Sequence, residues 1–236
     1  MKLTGKLREL ASGYGFELTE RMLEQFQIYA ALLDEWSQRM NLTAIREPDQ
    51  VEIKHFLDSI LLLRALELPQ GARLIDVGAG AGFPSVPVKI LRPDIRLTLL
   101  DSLQKRVGFL TALSGALEQQ NTFIHARAER LSHDNRYREQ YDLATARAVA
   151  ALPALCEYCL PFVRIGGCFA ALKGGDSAEE IASAGKALSL LGGSVDGVSG
   201  FTLPDGSART IILIKKISQT STKYPRTAVK ITKSPL

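Results

Sequence analysis

Leu74-Ile75-Asp76-Val77-Gly78-Ala79-Gly80-Ala81-Gly82-Phe83 is the stretch that decides how this chain folds. A short β-type run carrying Asp76 leads into three glycines at alternate positions. A strand that feeds a glycine-rich turn and then a helix lets the backbone come close to a bound nucleotide. The amides at the start of the following helix are expected to supply hydrogen-bond donors there. A dinucleotide turn wants glycine at its first, third and sixth positions, and the sixth position here is Phe83. The bland alternative is a glycine-rich turn that binds nothing.

Downstream, short β runs alternate with helical patterns. Strands are expected at Arg73–Val77, Arg96–Leu100, Thr122–His125, Asp142–Ala146 and Gly167–Leu172. Helices are expected at Phe83–Leu91, Leu103–Leu117, after Ala146 to about Leu160, and at Ser177–Leu191, with Pro84 and Pro87 fitting only a first turn. This alternation predicts a mostly parallel sheet covered on both faces. Ser194–Thr202 and Arg209–Ile217, joined by Pro204-Asp205-Gly206, are expected to close it as an antiparallel hairpin. Upstream, Met22, Leu23, Phe26, Tyr29, Leu32, Leu33 and Trp36 recur at helical spacing behind a candidate N-cap, Thr19. A second helix is expected from near Asp49 to Leu66. The chain thus divides into an N-terminal helical extension packed on the core (1–68), an α/β core (69–217) and a basic tail (218–236).

Composition sets the frame. A hydrophobic fraction of 46% supports a real core. Cys156, Cys159 and Cys168 are too few for a disulfide framework in a chain this long, which favours a reducing, intracellular setting. The Cys156-x-x-Cys159 pair lies in a helical pattern with no second pair, so packing is its expected role. The N-terminus lacks the apolar core of a signal peptide, and the Phe56–Leu66 stretch is too short and too polar to span a bilayer. A cytoplasmic protein without membrane contact is expected. Charge is uneven: after Asp205 there is no acid, while Arg209, Lys215, Lys216, Lys223, Arg226, Lys230 and Lys233 are all cationic. Such a tail points to a polyanion, most simply nucleic acid, with a solubilising disordered terminus as the alternative.

Ligands of an open parallel sheet bind outside the carboxyl ends of the strands. Those ends carry Asp76 and Gly78, then Asp101, then Ala128 and Glu129, then Arg147. Asp101 follows the glycines by about the distance at which an acid accepts both ribose hydroxyls. Structural alternatives remain: an N-cap for Asp101, first-turn helix charge for Glu129, a surface ion pair for Arg147. His55, His125 and His133 are too scattered for a metal, and neither a G-x-S-x-G elbow nor a P-loop occurs.

Glycines 78, 80 and 82 behind Asp76 resemble the first motif of class I S-adenosylmethionine (SAM) methyltransferases. Where amino-group methyltransferases of that class carry an N/D/S-P-P-Y/F motif, this chain reads Thr145-Ala146-Arg147-Ala148-Val149-Ala150. Cys156 and Cys159 are also misplaced for cytosine C5 chemistry, which needs a nucleophilic thiol. A ring nitrogen such as guanine N7 fits better, because it offers its own lone pair. Catalysis is then mainly positioning in a desolvated pocket.

Several motifs agree with one family: Asn41-Leu42-Thr43, Lys54-His55-Phe56-Leu57-Asp58-Ser59, Asp76–Pro87, Leu100-Asp101-Ser102-Leu103 with Lys105-Arg106, Ala128-Glu129, Ala146-Arg147-Ala148 and Leu172-Lys173-Gly174. In this order they resemble the bacterial 16S rRNA (guanine-N7) methyltransferases of the RsmG, or GidB, family over nearly the whole chain. The resemblance implies a Rossmann-like, SAM-dependent enzyme, expected as a monomer, that methylates N7 of a guanine in the decoding-region (530) loop, on 16S rRNA or the 30S subunit. It implies SAM contacts from Gly78, Phe83, Ala128, Glu129 and Arg147, with Asp101 at the ribose, and names no catalytic base and no metal. Lys54, His55, Asp58, Lys173 and the basic tail would lie toward RNA. Two positions depart from the family pattern. Ser85 replaces a usual glycine, tolerable if its φ is negative, and Thr227-Ala228-Val229 lacks a glycine often found in the tail. The competing readings are a non-catalytic RNA-binding protein on the same fold, and a nicotinamide-dependent oxidoreductase, which Phe83 disfavours.

Overall fold

A computed structural model describes residues 1–147, 150–175 and 177–236 of the chain. Helices α1 (Leu7–Gly13) and α2 (Glu20–Ser37) come first, followed by a bent run of α3 (Pro48–Val51), a π-helical turn (Glu52–Leu57), α4 (Asp58–Ile60) and α5 (Leu62–Ala65). The alternating core is β1 (Arg73–Val77), α6 (Ser85–Leu91), β2 (Arg96–Asp101), α7 (Gln104–Ala116), β3 (Thr122–His125), α8 (Ala128–Leu131), β4 (Tyr141–Arg147) and α9 (Leu152–Cys159). A 3-10 turn (Leu160–Phe162) leads into β5 (Val163–Gly174), α10 (Ala178–Ser183), α11 (Gly185–Leu191), β6 (Gly193–Thr202), β7 (Ala208–Lys216) and a final helix, α12 (Ala228–Lys233).

The seven strands run in the order β3-β2-β1-β4-β5-β7-β6. The first five pair in parallel, and β7 joins β5 and β6 antiparallel. The expected hairpin is therefore present, with β7 inserted between β5 and β6. Chain order reverses between β1 and β4, the switch point where ligands of such sheets bind.

Strand alternation sends side chains to two cores. Leu74, Leu97 and Leu99 join Phe26, Phe56, Val86, Phe109 and Leu110 on one face, while Ile75, Val77 and Leu100 join Leu155, Leu160 and Leu188 on the other. The N-terminal helices thus share a core with the sheet. Thr19 caps α2 as expected, accepting from the Met22 amide. Cys156 and Cys159 are fully buried, and burial pushes the Cys156 thiol up to about 12, which suits packing. Among the described residues no helix is long and apolar enough to cross a membrane.

The glycine turn has a structural reason besides any ligand. Gly78, Gly80 and Gly82 have φ of +75°, +57° and +92°, where L side chains are strained. A Cβ on Gly82 would lie 2.8 Å from Tyr29 Oη and 2.9 Å from Val86 Cγ2. The close approach at this glycine is made by the protein itself. Gly82→Ala is expected to lose about 2 kcal/mol of unfolding free energy in urea, through left-handed strain and overpacking. Gly80→Ala, with only Gly78 O at 3.8 Å, is expected to lose less.

Two expected helices are broken. The run at 49–66 widens into a π turn, which leaves the Lys54 carbonyl to accept from Arg147 Nη1 at 3.2 Å. The run at 177–191 divides at Ala184. Ser85 lies inside α6 with negative φ, fully buried, and its Oγ donates to Asp76 Oδ2 at 2.5 Å. The serine that departs from the family pattern is thus accommodated.

Candidate functional site: the carboxyl ends of the parallel strands

Six residues were expected at the cofactor, and the fold distributes them over two adjoining cavities at the switch point. Gly78, Asp101, Ala128 and Glu129 line the first, of about 420 Å³. Gly78, Phe83, Asp101 and Arg147 line the second, of about 410 Å³. Gly78, Asp101 and Ser102 belong to both. A larger cavity of about 830 Å³ lies at the opposite strand ends, around Arg73, Arg96 and Thr98, and holds none of the six. Ala148, from the Ala146-Arg147-Ala148 motif, and Val149 lie outside the described residues.

Asp101 ends β2 and is buried. Its Oδ2 accepts from the Gly80 amide at 2.9 Å and its Oδ1 from the Leu103 amide at 2.8 Å, with Arg106 Nη1 at 3.6 Å from Oδ2. The capping alternative is not realised: Leu103 is the N-cap of α7 and no side chain caps that helix, while Asp101 Oδ1 accepts from the amide of Leu103 itself, outside the helix. A carboxylate has about four lone-pair sites, so each oxygen retains acceptor capacity toward the cavity. The amides expected as donors at the start of the following helix are few: Pro84 and Pro87 carry no N–H, and the Val86 amide donates to Gly82 O at 2.9 Å. The Gly78 and Ala79 amides both donate to Leu100 O, and the Gly82 amide donates to Ala79 O. The turn therefore shapes the cavity and spends these amides on the fold.

The first cavity is suited to a flat base and a sugar. Ala126, Ala128, Ala151 and Ala154 present small apolar walls, and Asp101 and Glu129 supply carboxylates. The rest of its lining was not legible in the sequence: Tyr158 from α9, and Ala228, Ile231, Thr232 and Pro235 from the chain terminus.

Arg147, at the end of β4, is woven into the N-terminal helices. Its Nη1 donates to Lys54 O and, at 3.1 Å, to Asp58 Oδ2, while Nη2 lies 3.4 Å from His55 Nδ1. Its Cζ sits 4.8 Å from the centre of the Phe83 ring. Phe83 also stacks with Tyr29 at 5.1 Å and with His55 at 4.4 Å. The surface ion pair considered for Arg147 is in fact a part-buried one, with Asp58 buried. Burial, helped by Arg147, drives the His55 pKa down to about 3, so its imidazole is neutral at physiological pH. Burial raises the Asp58 carboxyl, against the pull of Arg147 and Arg209.

Lys54, His55, Asp58, Arg147, Lys173 and Arg209 gather around a third cavity of about 410 Å³. Lys54 pairs with Asp205 at 3.0 Å, Lys173 with Glu180 at 2.6 Å, and Arg209 with Asp58 at 3.2 Å. Arg209 was counted only as part of a cationic run, and its place here comes from β7. Other cations of that run are also spoken for. Arg226 pairs with buried Glu157 at 2.7 Å, and buried Lys216 with Glu139 at 3.2 Å. Lys223, Lys230 and Lys233 remain exposed.

Comparison with known proteins agrees with this architecture. The family described as rRNA small subunit methyltransferase G (GidB) matches residues 22–209. The ribosomal RNA small subunit methyltransferase G of Acetivibrio thermocellus is 48% identical over 100% of this chain and 98% of its own. Its namesake in Alkaliphilus oremlandii is also 48% identical, over 100% of both. Among solved structures, geranyl diphosphate C-methyltransferase from Streptomyces coelicolor, in complex with Mg²⁺, geranyl diphosphate and S-adenosyl-L-homocysteine, aligns with a TM-score of 0.53 at 13% identity. That alignment covers 67% of this chain and 78% of the other, and shows the shared fold alone. With the match to the family spanning most of its length, the chain belongs to the rRNA small subunit methyltransferase G (GidB) family.

Proposed function

We propose that the chain is a SAM-dependent methyltransferase acting on N7 of a guanine in the decoding-region loop of 16S rRNA. It would work as a monomer in the cytoplasm, on the RNA or on the 30S subunit. The observation that carries this reading is the pair of adjoining cavities at the switch point, one lined by two carboxylates and small apolar side chains, the other by Arg147 and Phe83. In this reading Asp101 accepts from the ribose, Glu129 and Ala128 bound the nucleoside, and Gly78 gives room at the turn. Phe83 and Arg147 contact SAM from the second cavity, on its side toward the acceptor.

When bound, SAM supplies a methyl group on a positively charged sulfur, and N7 of guanine brings its own lone pair, so no proton has to be removed. The side chains on the acceptor side fit that demand. His55 is a poor base at a pKa of about 3, and Asp58 is held by two arginines. What the protein contributes is position and dryness. The guanine must leave its stack to present N7, and Lys54, Lys173 and Arg209, each paired with an acid in the free protein, would exchange that partner for phosphate as the RNA docks. Residues 1–68 brace the acceptor side, 69–217 hold the cofactor, and 218–236 close over it.

The test is methyl transfer from labelled SAM to 30S subunits lacking N7 methylation, and to the naked rRNA, with the product mapped. Label at a single N7-methylguanine in the decoding-region loop is the expected result. SAM binding without label would overturn the acceptor and favour RNA binding without catalysis. Absence of SAM binding would overturn the cofactor.

A further inference from the structure

The carboxy-terminal segment is strapped to the core and then runs along the first cavity. Arg138 donates to the carbonyls of Thr220 at 2.7 Å and Tyr224 at 3.1 Å. Arg226 follows: its backbone amide and Nε donate to Glu157 Oε1 at 2.7 and 2.9 Å, and its Nη2 to Oε2 at 2.7 Å. Glu157 is fully buried and Arg226 half-buried, which makes this a charge-assisted clamp with one desolvated partner. It fixes where α12 lands.

Ala228, Ile231 and Thr232 line the first cavity at the spacing of one face of α12, and Pro235, beyond the helix end, joins them. Ile231 is fully buried there. Lys230 and Lys233 are exposed. On the outer side, the same segment and α8 enclose a cleft of about 650 Å³ that includes Arg127, Arg130 and His133. Arg127 and Arg130 are exposed, and neither guanidinium is paired with an acid among the described residues. Arg127, Glu129 and Ala228 line both the cavity and the cleft, so these residues form the wall between them.

We propose that this segment is a shared wall that couples the two ligands: its inner face completes the cofactor cavity, and its outer face, with Arg130 and Lys230, takes RNA backbone phosphate. This rests on the methyltransferase reading above. RNA held on the outer face stabilises α12 where it is seated, against the cavity that it completes. Linkage then requires that each ligand tighten the other by the same factor.

The experiment measures dissociation constants of S-adenosylhomocysteine, with and without a 16S rRNA fragment containing the decoding-region loop, on the full chain. Wild type is expected to bind S-adenosylhomocysteine about fivefold or more tightly with RNA present, and the fragment to gain the same factor from the cofactor product. Thr232→Trp, at an exposed position, fills the cavity and is expected to weaken S-adenosylhomocysteine about tenfold or more; each tenfold is one decade of the binding constant. If far-UV circular dichroism shows that variant unfolded, the smaller Thr232→Leu gives the same reading. The double variant Arg130→Glu with Lys230→Glu is expected to weaken RNA about tenfold and erase the mutual tightening, because phosphate contacts are lost. Wild-type S-adenosylhomocysteine affinity in folded Thr232→Trp overturns the inner wall. Wild-type RNA affinity in the double variant, or equal affinities with and without RNA in wild type, overturns the coupling. If wild type binds no S-adenosylhomocysteine at all, the methyltransferase reading itself fails.

Discussion

Asp101→Ala is expected to weaken SAM binding by about 100-fold, a loss near 2.7 kcal/mol. The proposed bonds from two ribose hydroxyls to a carboxylate are charge-assisted, and such bonds contribute about 1.5–3 kcal/mol each net of water. The carboxylate is held for this task by the protein: the Gly80 and Leu103 amides, each within 2.9 Å, fix both oxygens. The same bonds make the residue structural, so alanine also leaves two main-chain donors without their acceptor and is expected to lower stability by about 1–3 kcal/mol. Asp101→Asn separates the two effects. Its one carbonyl oxygen still serves one amide while its NH2 faces the other, so part of the stability is retained while the ribose loses a charged acceptor. Calorimetric titration with SAM, alongside urea unfolding, checks both quantities. Wild-type affinity in folded Asp101→Ala would show that the ribose lies elsewhere and that Asp101 is only a turn residue.

Much of this site could be read from the sequence because it is local. The glycine turn, the acid after β2 and the polar ends of β3 and β4 lie within a few residues of a strand terminus, and strand termini of a parallel sheet converge. Arg73–Val77 and Thr122–His125 came out with the expected ends. What was not legible depends on partners far along the chain. Charge counting put Arg226 and Lys216 on a polyanion-binding tail, whereas each is paired with an acid more than sixty residues away. The contribution of α12 to the first cavity was invisible for the same reason. β5 was expected only at Gly167–Leu172, but it begins at Val163 and passes through Gly166 and Gly167. A Cβ on Gly167 would meet Asp142 O at 2.8 Å, so glycine, usually a strand breaker, here permits close strand packing.

The pH dependence of stability is expected to conceal two large and opposite contributions beneath the glycine turn. Asp76 is fully buried; Oδ2 accepts from Ser85, and Oδ1 has no partner among the described residues. Burial pushes its pKa up to about 7, against the pull of Ser85 and Arg147. A folded-state value above the unfolded one means that the native protein keeps a proton the unfolded chain has released. That contribution is whole below about pH 4 and is lost as pH rises to about 7, at about 1.4 kcal/mol per pH unit, or about 4 kcal/mol in all. His55 works in the other direction. Its folded value of about 3 lies below the usual 6.5, so the native protein refuses a proton that the unfolded chain accepts. Its contribution is whole above about pH 6.5 and is lost as pH falls to about 3, and it amounts to about 5 kcal/mol. Between about pH 4 and 6.5 the two slopes nearly cancel in wild type. Asp76→Asn should uncover a stability that rises with pH across this window, and His55→Gln one that falls. Urea unfolding of the three proteins at pH 4.5 and 6.5 decides it, with each variant expected to diverge from wild type by about 2–3 kcal/mol over the interval. Variants that run parallel to wild type would mean that Asp76 is ionised and His55 is hydrated in the folded chain. The buried cluster around Arg147 would then be open to water, and the dry acceptor pocket that N7 transfer relies on would not exist.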